Sequence, residues 1–220
     1  MSSEPKLLSR IEYASFLVYN PNPKKFSSDV SALSRRVVDA VKRETAQWAR
    51  KQRLGERMVG ELGDAIRETF FPMGGTLVPM PGHAPFKDPA GSHWSARELC
   101  QHFANSGLAS DWRPLLSRTE AVPKSAFCKP EDRPTVERHA ETMTVSPELG
   151  VGEVITVVDD VITRGATMLA AVSLLAQAYP SATVRGFALI RSDTDCPIRE
   201  VKSPVRGTVT VVPWGTKREP

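Results

Sequence analysis

The stretch that most constrains the fold is residues 154–167, which read VITVVDDVITRGAT. Its first part, residues 154–158, is almost continuously apolar, a pattern typical of a strand buried on both faces of a parallel sheet. The residues that follow it, 167–179, are rich in alanine and leucine and predict a helix. Residues 183–190 predict a further strand. Strand, helix and strand in this order indicate an α/β fold with right-handed crossovers.

Two carboxylates and a glycine-containing loop lie between this strand and its helix. Asp159 and Asp160 end the predicted strand, and Gly165 lies where the loop opens the helix. Backbone N–H groups at a helix N-terminus favour a phosphate, and glycine lets the backbone approach it closely. The hydroxyls of Thr163 and Thr167 are additional donors, whereas carboxylates suit sugar hydroxyls or a Mg²⁺ held through water. The pattern predicts a sugar-phosphate site at the carboxyl edge of the sheet, and the alternative is an unrelated acidic pair such as a phosphoacceptor site.

This segment resembles the phosphoribosyl-pyrophosphate motif of the type I phosphoribosyltransferases, in which apolar residues precede two acidic residues and a loop similar to Thr-x-Gly-x-Thr. Arg164 stands where many members have Thr or Ser, and it adds positive charge to the loop. The resemblance implies that Asp159 and Asp160 are catalytic, with Asp160 as the general base if the protein supplies one. It also implies a cradle for the 5-phosphate formed by Thr163, Arg164, Gly165, Ala166 and Thr167.

A second segment, residues 78–83 with the sequence VPMPGH, looks like the pyrophosphate loop of the same family. Its Val-Pro-x-Pro pattern is similar to that of members related to the competence protein ComF, although the Arg and Asn signature of those members is not evident further on. A helix is predicted at 94–106, where such members have theirs. The resemblance implies that backbone amides of this loop face the pyrophosphate, the loop residues being Pro79, Met80, Pro81, Gly82 and His83.

The interval between the two loops, residues 117–147, is rich in proline and charge and predicts a long functional or mobile loop. Type I phosphoribosyltransferases look similar in carrying a flexible loop here that closes over the active site. The resemblance implies that Lys124 is catalytic and that Ser125 and Arg133 belong to the flexible loop, and the alternative is a solvated surface loop. His139 is predicted to be structural, because the sequence offers no evident partner.

Trp214 follows residues 208–212, which predict the last strand of the chain. Some purine phosphoribosyltransferases resemble this arrangement, with an aromatic residue that stacks on the base. Trp214 is therefore interpreted either as a base-stacking residue or as a cover for the edge of the core.

Residues 1–71 match no pattern covered by the resemblance and predict an N-terminal arm and a two-helix extension, with residues 72–220 as the core. The arm includes a short strand at 15–19. Ser28 is the predicted N-cap of the first helix. A second helix is predicted at 56–70, after a break at Gly55. The apolar face of the first helix is Val30, Leu33, Val37, Val41 and Trp48, and that of the second is Met58, Leu62, Ile66 and Phe70.

Charge and composition limit which partners and which cell compartment we expect for this protein. The net charge is +4, and residues 1–71 hold 13 Lys or Arg against 9 Asp or Glu, so the basic excess lies there. Arginines recur every seventh residue, either as a stripe for nucleic acid or, as we favour, as a solvated helix face: Arg36, Arg43, Arg50 and Arg57. The absence of a long apolar run argues against a membrane span or a secretory signal. Three widely spaced cysteines, Cys100, Cys128 and Cys196, form no zinc or disulfide pattern, so we expect buried thiols and a cytoplasmic location.

The resemblance implies a Mg²⁺-dependent transfer of a phosphoribosyl group from 5-phosphoribosyl 1-pyrophosphate (PRPP) to a nitrogen nucleophile, with release of pyrophosphate. Mg²⁺ would be bound through the substrate and water, with no direct protein ligand. The expected partners are PRPP and a base or amine, with a homodimer as a possible assembly and no membrane partner. Two alternatives remain open: a non-catalytic module that senses PRPP or a nucleotide, and a ComF-like accessory protein in DNA uptake whose nucleic-acid contact would rest on the basic helix.

Overall fold

The structure is a computed structural model that describes residues 5–22, 28–42, 56–58, 60–86, 93–123, 129, 132–194 and 197–220. Its strands are β1 (Arg10–Tyr19), β2 (Thr76–Pro79), β3 (Asp111–Trp112), β4 (Leu116–Arg118), β5 (Met143–Val145), β6 (Val154–Ile162), β7 (Thr183–Ser192), β8 (Lys202–Val212) and β9 (Gly215–Glu219). Its helices are α1 (Asp29–Lys42), α2 (Asp64–Phe70), α3 (Ser95–Asn105), α4 (Val136–Glu141) and α5 (Ala166–Ala178). Residues 56–58 and 60–61 are also helical.

A seven-stranded sheet in the order β3-β2-β6-β7-β1-β8-β9 forms the centre of the molecule. The strands from β3 to β1 are parallel to their neighbours, whereas β8 and β9 are antiparallel additions at one side. Strands β4 and β5 form a separate antiparallel pair. The predicted α/β class, with a mostly parallel sheet flanked by helices, is confirmed.

Both faces of the sheet are covered, as the apolar run in β6 predicted. Ile155 and Val157 are fully buried in a cluster with α4 and α5, and Val158 is fully buried in a second cluster with α1, α2 and α3. Successive residues of a strand point to opposite faces, so the two clusters lie on opposite sides of the sheet.

The N-terminal part of the chain contributes directly to this sheet. Strand β1 begins at Arg10, earlier than the predicted strand at 15–19, and it lies between β7 and β8. Ser28 caps α1 as predicted, because the Ser31 N–H donates to its Oγ (3.0 Å). The predicted face of α1 is wrong in part: Leu33 is 47% exposed, and the buried residues are Ser31, Ser34, Val38 and Val41. The serines can be buried because Ser34 Oγ donates to the Ser31 carbonyl (2.7 Å).

The helix predicted at 56–70 is interrupted. Gly63 has φ of +82° and separates α2 from the helical residues 56–58 and 60–61 that precede it. The four residues predicted to face inward are nevertheless buried, namely Met58, Leu62, Ile66 and Phe70. Trp48, Arg43, Arg50 and Gly55 lie outside the described residues.

Three expectations for the second half need correction. Strand β6 continues to Ile162, because it stays paired with β7 as far as Arg191, so the acidic pair lies inside the strand and not at its end. Strand β8 is followed by β9, so residues 208–212 are not the last strand. The interval 117–147 contains α4 and β5, where a long loop was predicted.

Cys100 is buried on α3, as predicted, whereas Cys128 and Cys196 lie outside the described residues. In the part of the chain that the structure describes, we find no helix with the length and apolar character needed to cross a membrane.

Candidate functional site

The loop between β6 and α5 brings a helix N-terminus to the carboxyl edge of the sheet. Gly165 is the N-cap of α5 with φ of +90° and ψ of 7°, a left-handed conformation that favours glycine. The Leu169 N–H donates to the Gly165 carbonyl (2.9 Å), which starts the helical pattern. The first amides of a helix lack partners within it, so those that follow Gly165 can donate to an anion.

A cleft of about 330 Å³ opens at this N-terminus. We call it the β6–α5 cleft. Three parts of the chain line it: residues 161–168, residues 133–136 leading into α4, and residues 213–216, which form the turn after β8 and the start of β9. Asp159 also faces it. The five residues predicted to form the phosphate cradle all line this cleft, namely Thr163, Arg164, Gly165, Ala166 and Thr167.

The structure separates the predicted acidic pair. Asp159 lines the cleft, whereas Asp160 lies on the opposite face, where its Oδ2 is 4.0 Å from Lys42 Nζ of α1. Alternation along β6 explains the division, since Val157 and Val158 already belong to different faces. The sequence did not predict the contact between Lys42 and Asp160, because nothing local links α1 to β6.

The electrostatics of Asp159 follow from its position. Burial is the larger cause and the charge of Asp160 the smaller, and together they raise the pKa of Asp159 well above its ordinary value. The Asp160 N–H donates to Asp159 Oδ1 (2.8 Å) and partly offsets this effect. A ligand that brings hydroxyl donors or a cation to Asp159 would therefore favour its ionised form.

Arg133 supplies a cation to the same cleft, and its assignment to a flexible loop that closes over the site stays a prediction. Its side chain lines the cleft, and its Nε is buried without a hydrogen-bond partner among the described residues. Together with the exposed Arg164, it makes the surroundings of the α5 N-terminus favourable to an anion. Lys124 and Ser125, the other predicted loop residues, lie outside the described residues.

The predicted pyrophosphate loop lies nearby but does not line the cleft. Residues 80–83 follow β2, which ends at Pro79 and pairs in parallel with β6, so both loops leave the same edge. The Met80 N–H donates to the Val158 carbonyl (2.8 Å), and the Met80 carbonyl accepts from the Trp94 indole (2.6 Å). The prediction that Met80 offers its amide to a ligand is therefore wrong, because the sheet already uses it. Roles for Pro79, Pro81, Gly82 and His83 stay predictions.

Two buried side chains, one of which the sequence predicted to be structural, connect these loops. Arg118 donates from Nε to the Gly82 carbonyl (3.2 Å) and from a terminal nitrogen to Thr142 Oγ (2.7 Å). His139 has its Nε2 3.1 Å from Thr167 Oγ. Burial first, and then the charge of Arg118, lowers the pKa of His139 to about 4, so the imidazole is neutral. His139 thus has a partner in the cleft, which its sequence neighbours do not reveal.

Trp214 lies in the turn between β8 and β9 and lines the cleft with 76% of its surface exposed. The interpretation that it covers the edge of the core is wrong, because a covering side chain would be buried. The same hairpin fixes the cradle from the other side, since Arg218 of β9 donates to the Thr163 carbonyl (2.8 Å) and to the Tyr13 hydroxyl (2.8 Å).

Comparison of the chain with models of protein families gives no match, and comparison with curated proteins gives none. Among the described residues, there is no group of three or more His, Cys, Asp or Glu side chains arranged to hold a metal ion.

Proposed function

We propose that this protein is a type I phosphoribosyltransferase that transfers a phosphoribosyl group from PRPP to a nitrogen nucleophile. The observation that supports it most is the left-handed Gly165, which opens the α5 N-terminus onto a cleft that also contains Asp159. Amides suit a phosphate and a carboxylate suits sugar hydroxyls, so one cleft offers donors and acceptors for the two ends of a ribose phosphate. The resemblance of residues 154–167 to the PRPP motif supports the same assignment.

In this proposal the residues bind and orient, and they form no covalent intermediate. The loop at Gly165 holds the 5-phosphate, Asp159 accepts from ribose hydroxyls, and Arg133 faces the negative charge of the substrate. The bond from C1 to the pyrophosphate oxygen breaks, its electron pair leaves with pyrophosphate, and the lone pair of the nitrogen forms the bond to C1 while the nitrogen gives up a proton to water. Positive charge then develops on the ribose and negative charge on the pyrophosphate, so positioning and fixed charges lower the barrier.

Mg²⁺ fits this cleft as a companion of the substrate. Carboxylate oxygen is a preferred ligand of Mg²⁺, and Asp159 provides one beside the expected ribose position. An ion held mainly by substrate oxygens and water needs no further protein ligands. When bound, Mg²⁺ would neutralise charge on the leaving pyrophosphate.

Trp214 supports an aromatic acceptor. Its ring is exposed and belongs to the cleft lining, so a flat base could stack on it.

The experiment is a pyrophosphate-release assay with PRPP, Mg²⁺ and a panel of purine, pyrimidine and small amine acceptors. We expect release with at least one acceptor, loss of release in Asp159→Asn, and normal release in the control Asp64→Asn, whose carboxylate is 80% exposed on α2. Release that is unchanged in Asp159→Asn would contradict the assignment of the cleft.

A second candidate, a module that binds PRPP without turnover, is favoured by two contacts. Asp160, the implied general base, is within 4.0 Å of Lys42, and the Met80 amide of the implied pyrophosphate loop is taken by the sheet. Tight PRPP binding without release for any acceptor would favour this candidate over the enzyme.

A further inference from the structure

We infer that His139 is a positioning residue that aims the Thr167 hydroxyl proton at the anion bound in the β6–α5 cleft. This inference rests on the proposed function, because it assigns a role within the phosphate cradle. His139 is on α4, only 3% exposed, and Thr167 is in the first turn of α5. The contact between Nε2 and Oγ, 3.1 Å long, joins the two helices at the cleft wall.

The surroundings of the imidazole select one tautomer. Nδ1 is buried without a hydrogen-bond partner among the described residues. A proton on Nδ1 would make a buried N–H with no acceptor, which folded proteins rarely tolerate, whereas an unpaired lone pair is less costly. The proton therefore resides on Nε2, and His139 donates to Thr167 Oγ.

This direction of donation determines what the hydroxyl can do. A hydroxyl has one proton to donate and can accept from other donors. Because Thr167 Oγ accepts from His139, its own proton remains available, and Thr167 lines the cleft. Without His139, the hydroxyl can turn back to a carbonyl three or four residues earlier in the chain, as threonines in helices often do.

Arg118 fixes the part of the backbone that carries the His139 imidazole. Its guanidinium is buried and donates to the His139 carbonyl (3.3 Å) and to Thr142 Oγ (2.7 Å), while Thr142 Oγ donates to the Arg138 carbonyl (2.7 Å). These bonds fix the end of α4. The Arg118 charge also opposes a second proton on the imidazole, so His139 stays a neutral donor.

The test is a double-mutant cycle read by calorimetric titration with ribose 5-phosphate. His139→Leu should weaken binding about 3- to 10-fold, the range for one hydrogen bond between uncharged groups, because the bond it removes joins a neutral imidazole to a hydroxyl. His139→Gln keeps an N–H donor near the position of Nε2 and should bind within about 2-fold of wild type. In the Thr167→Val background, His139→Leu should have no further effect. His102→Leu, which removes a buried histidine of α3 outside the cleft lining, is the control.

The outcomes separate the two claims. If His139→Leu lowers the affinity for ribose 5-phosphate equally in the wild-type and Thr167→Val backgrounds, His139 is merely structural. That result would overturn the inference, while the proposed function stands. If wild type binds neither ribose 5-phosphate nor PRPP, the proposed function fails and takes the role of His139 with it. Nitrogen-15 NMR of the ligand-free protein tests the tautomer separately: a proton on Nε2 supports the inference, and a proton on Nδ1 overturns it.

Discussion

At the scale of single residues, the raised pKa of Asp159 makes the stability of the fold depend on pH. Its folded pKa lies above the ordinary carboxyl value, so the folded state keeps a proton that the unfolded state releases. The free energy of unfolding that this group contributes is present at low pH and is lost as pH rises from about 4 through the folded pKa. We expect Asp159→Asn to gain stability over wild type, by on the order of 1–2 kcal/mol at pH 8 and less at pH 5.

Urea unfolding at both pH values measures this difference, with Asp64→Asn as the exposed control. A variant that loses stability relative to wild type between pH 5 and pH 8 would contradict the raised pKa of Asp159.

His139 predicts the opposite trend in acid. Its folded pKa is about 4 and its ordinary value is 6.5, so between these values the unfolded state binds more protons. Stability therefore falls as pH drops from 6.5 to 4, by up to about 3 kcal/mol from this group. His139→Gln should flatten the pH dependence of urea unfolding in this window. A pH dependence that His139→Gln leaves unchanged in this window would contradict the lowered pKa of the buried imidazole.

Gly165 has a structural role besides its proposed role in binding. A Cβ at this position would lie 2.5 Å from Val209 Cγ2 of β8, and φ of +90° is unfavourable for any L residue. We expect Gly165→Ala to cost about 1–3 kcal/mol in the free energy of unfolding. Adding Val209→Ala should recover the part due to the clash and not the part due to φ. A Gly165→Ala variant as stable as wild type would mean that the loop does not have this conformation.

These residues show what local sequence can and cannot predict. Gly165 and Thr167 were predicted because the strand, loop and helix that hold them are contiguous. The contacts of Asp160 with Lys42 and of Thr167 with His139 were not predicted, because both partners come from distant elements of the chain. Such contacts depend on how helices pack on the sheet, and residue type alone does not encode that packing.

At the scale of elements, strands and helices with strong local signals were predicted, and pairings between distant segments were not. The apolar run of β6 predicted a strand buried on both faces, but the length of this strand depends on its pairing with β7. Strand β1 lies inside the sheet because β7 and β8 both pair with it, which its own residues do not indicate. The buried face of α1 was misjudged because serines pack where aliphatic residues were expected.

The turn between β8 and β9 gives a prediction at this scale. Trp214 is exposed and adds little to the core, so Trp214→Ala should change the free energy of unfolding by less than about 0.5 kcal/mol. If the ring stacks on the acceptor, the variant should raise KM for the acceptor about 5- to 100-fold, the range for one lost stacking contact, with KM for PRPP unchanged. Steady-state kinetics with each substrate varied separately makes the measurement. An unchanged acceptor KM would remove Trp214 from the site.

At the scale of the whole molecule, three distant parts of the chain meet at one edge of the sheet. The β6–α5 loop provides the cradle, residues 133–136 provide Arg133, and the β8–β9 turn provides Trp214. Parallel strands direct their following loops to one edge, so a site there could be predicted. The sequence could not predict which loops face the cleft. Met80 illustrates this, because its amide donates to the Val158 carbonyl within the sheet.

The central claim is that this cleft binds a phosphoribosyl group, and calorimetric titration of PRPP with Mg²⁺ tests it most directly. We expect one PRPP per chain for wild type, the same affinity for Asp64→Asn, and binding weakened about 10- to 100-fold in Asp159→Asn, the range for a lost charged hydrogen bond. Absence of binding by folded wild type, or equal affinity in Asp159→Asn, would contradict it.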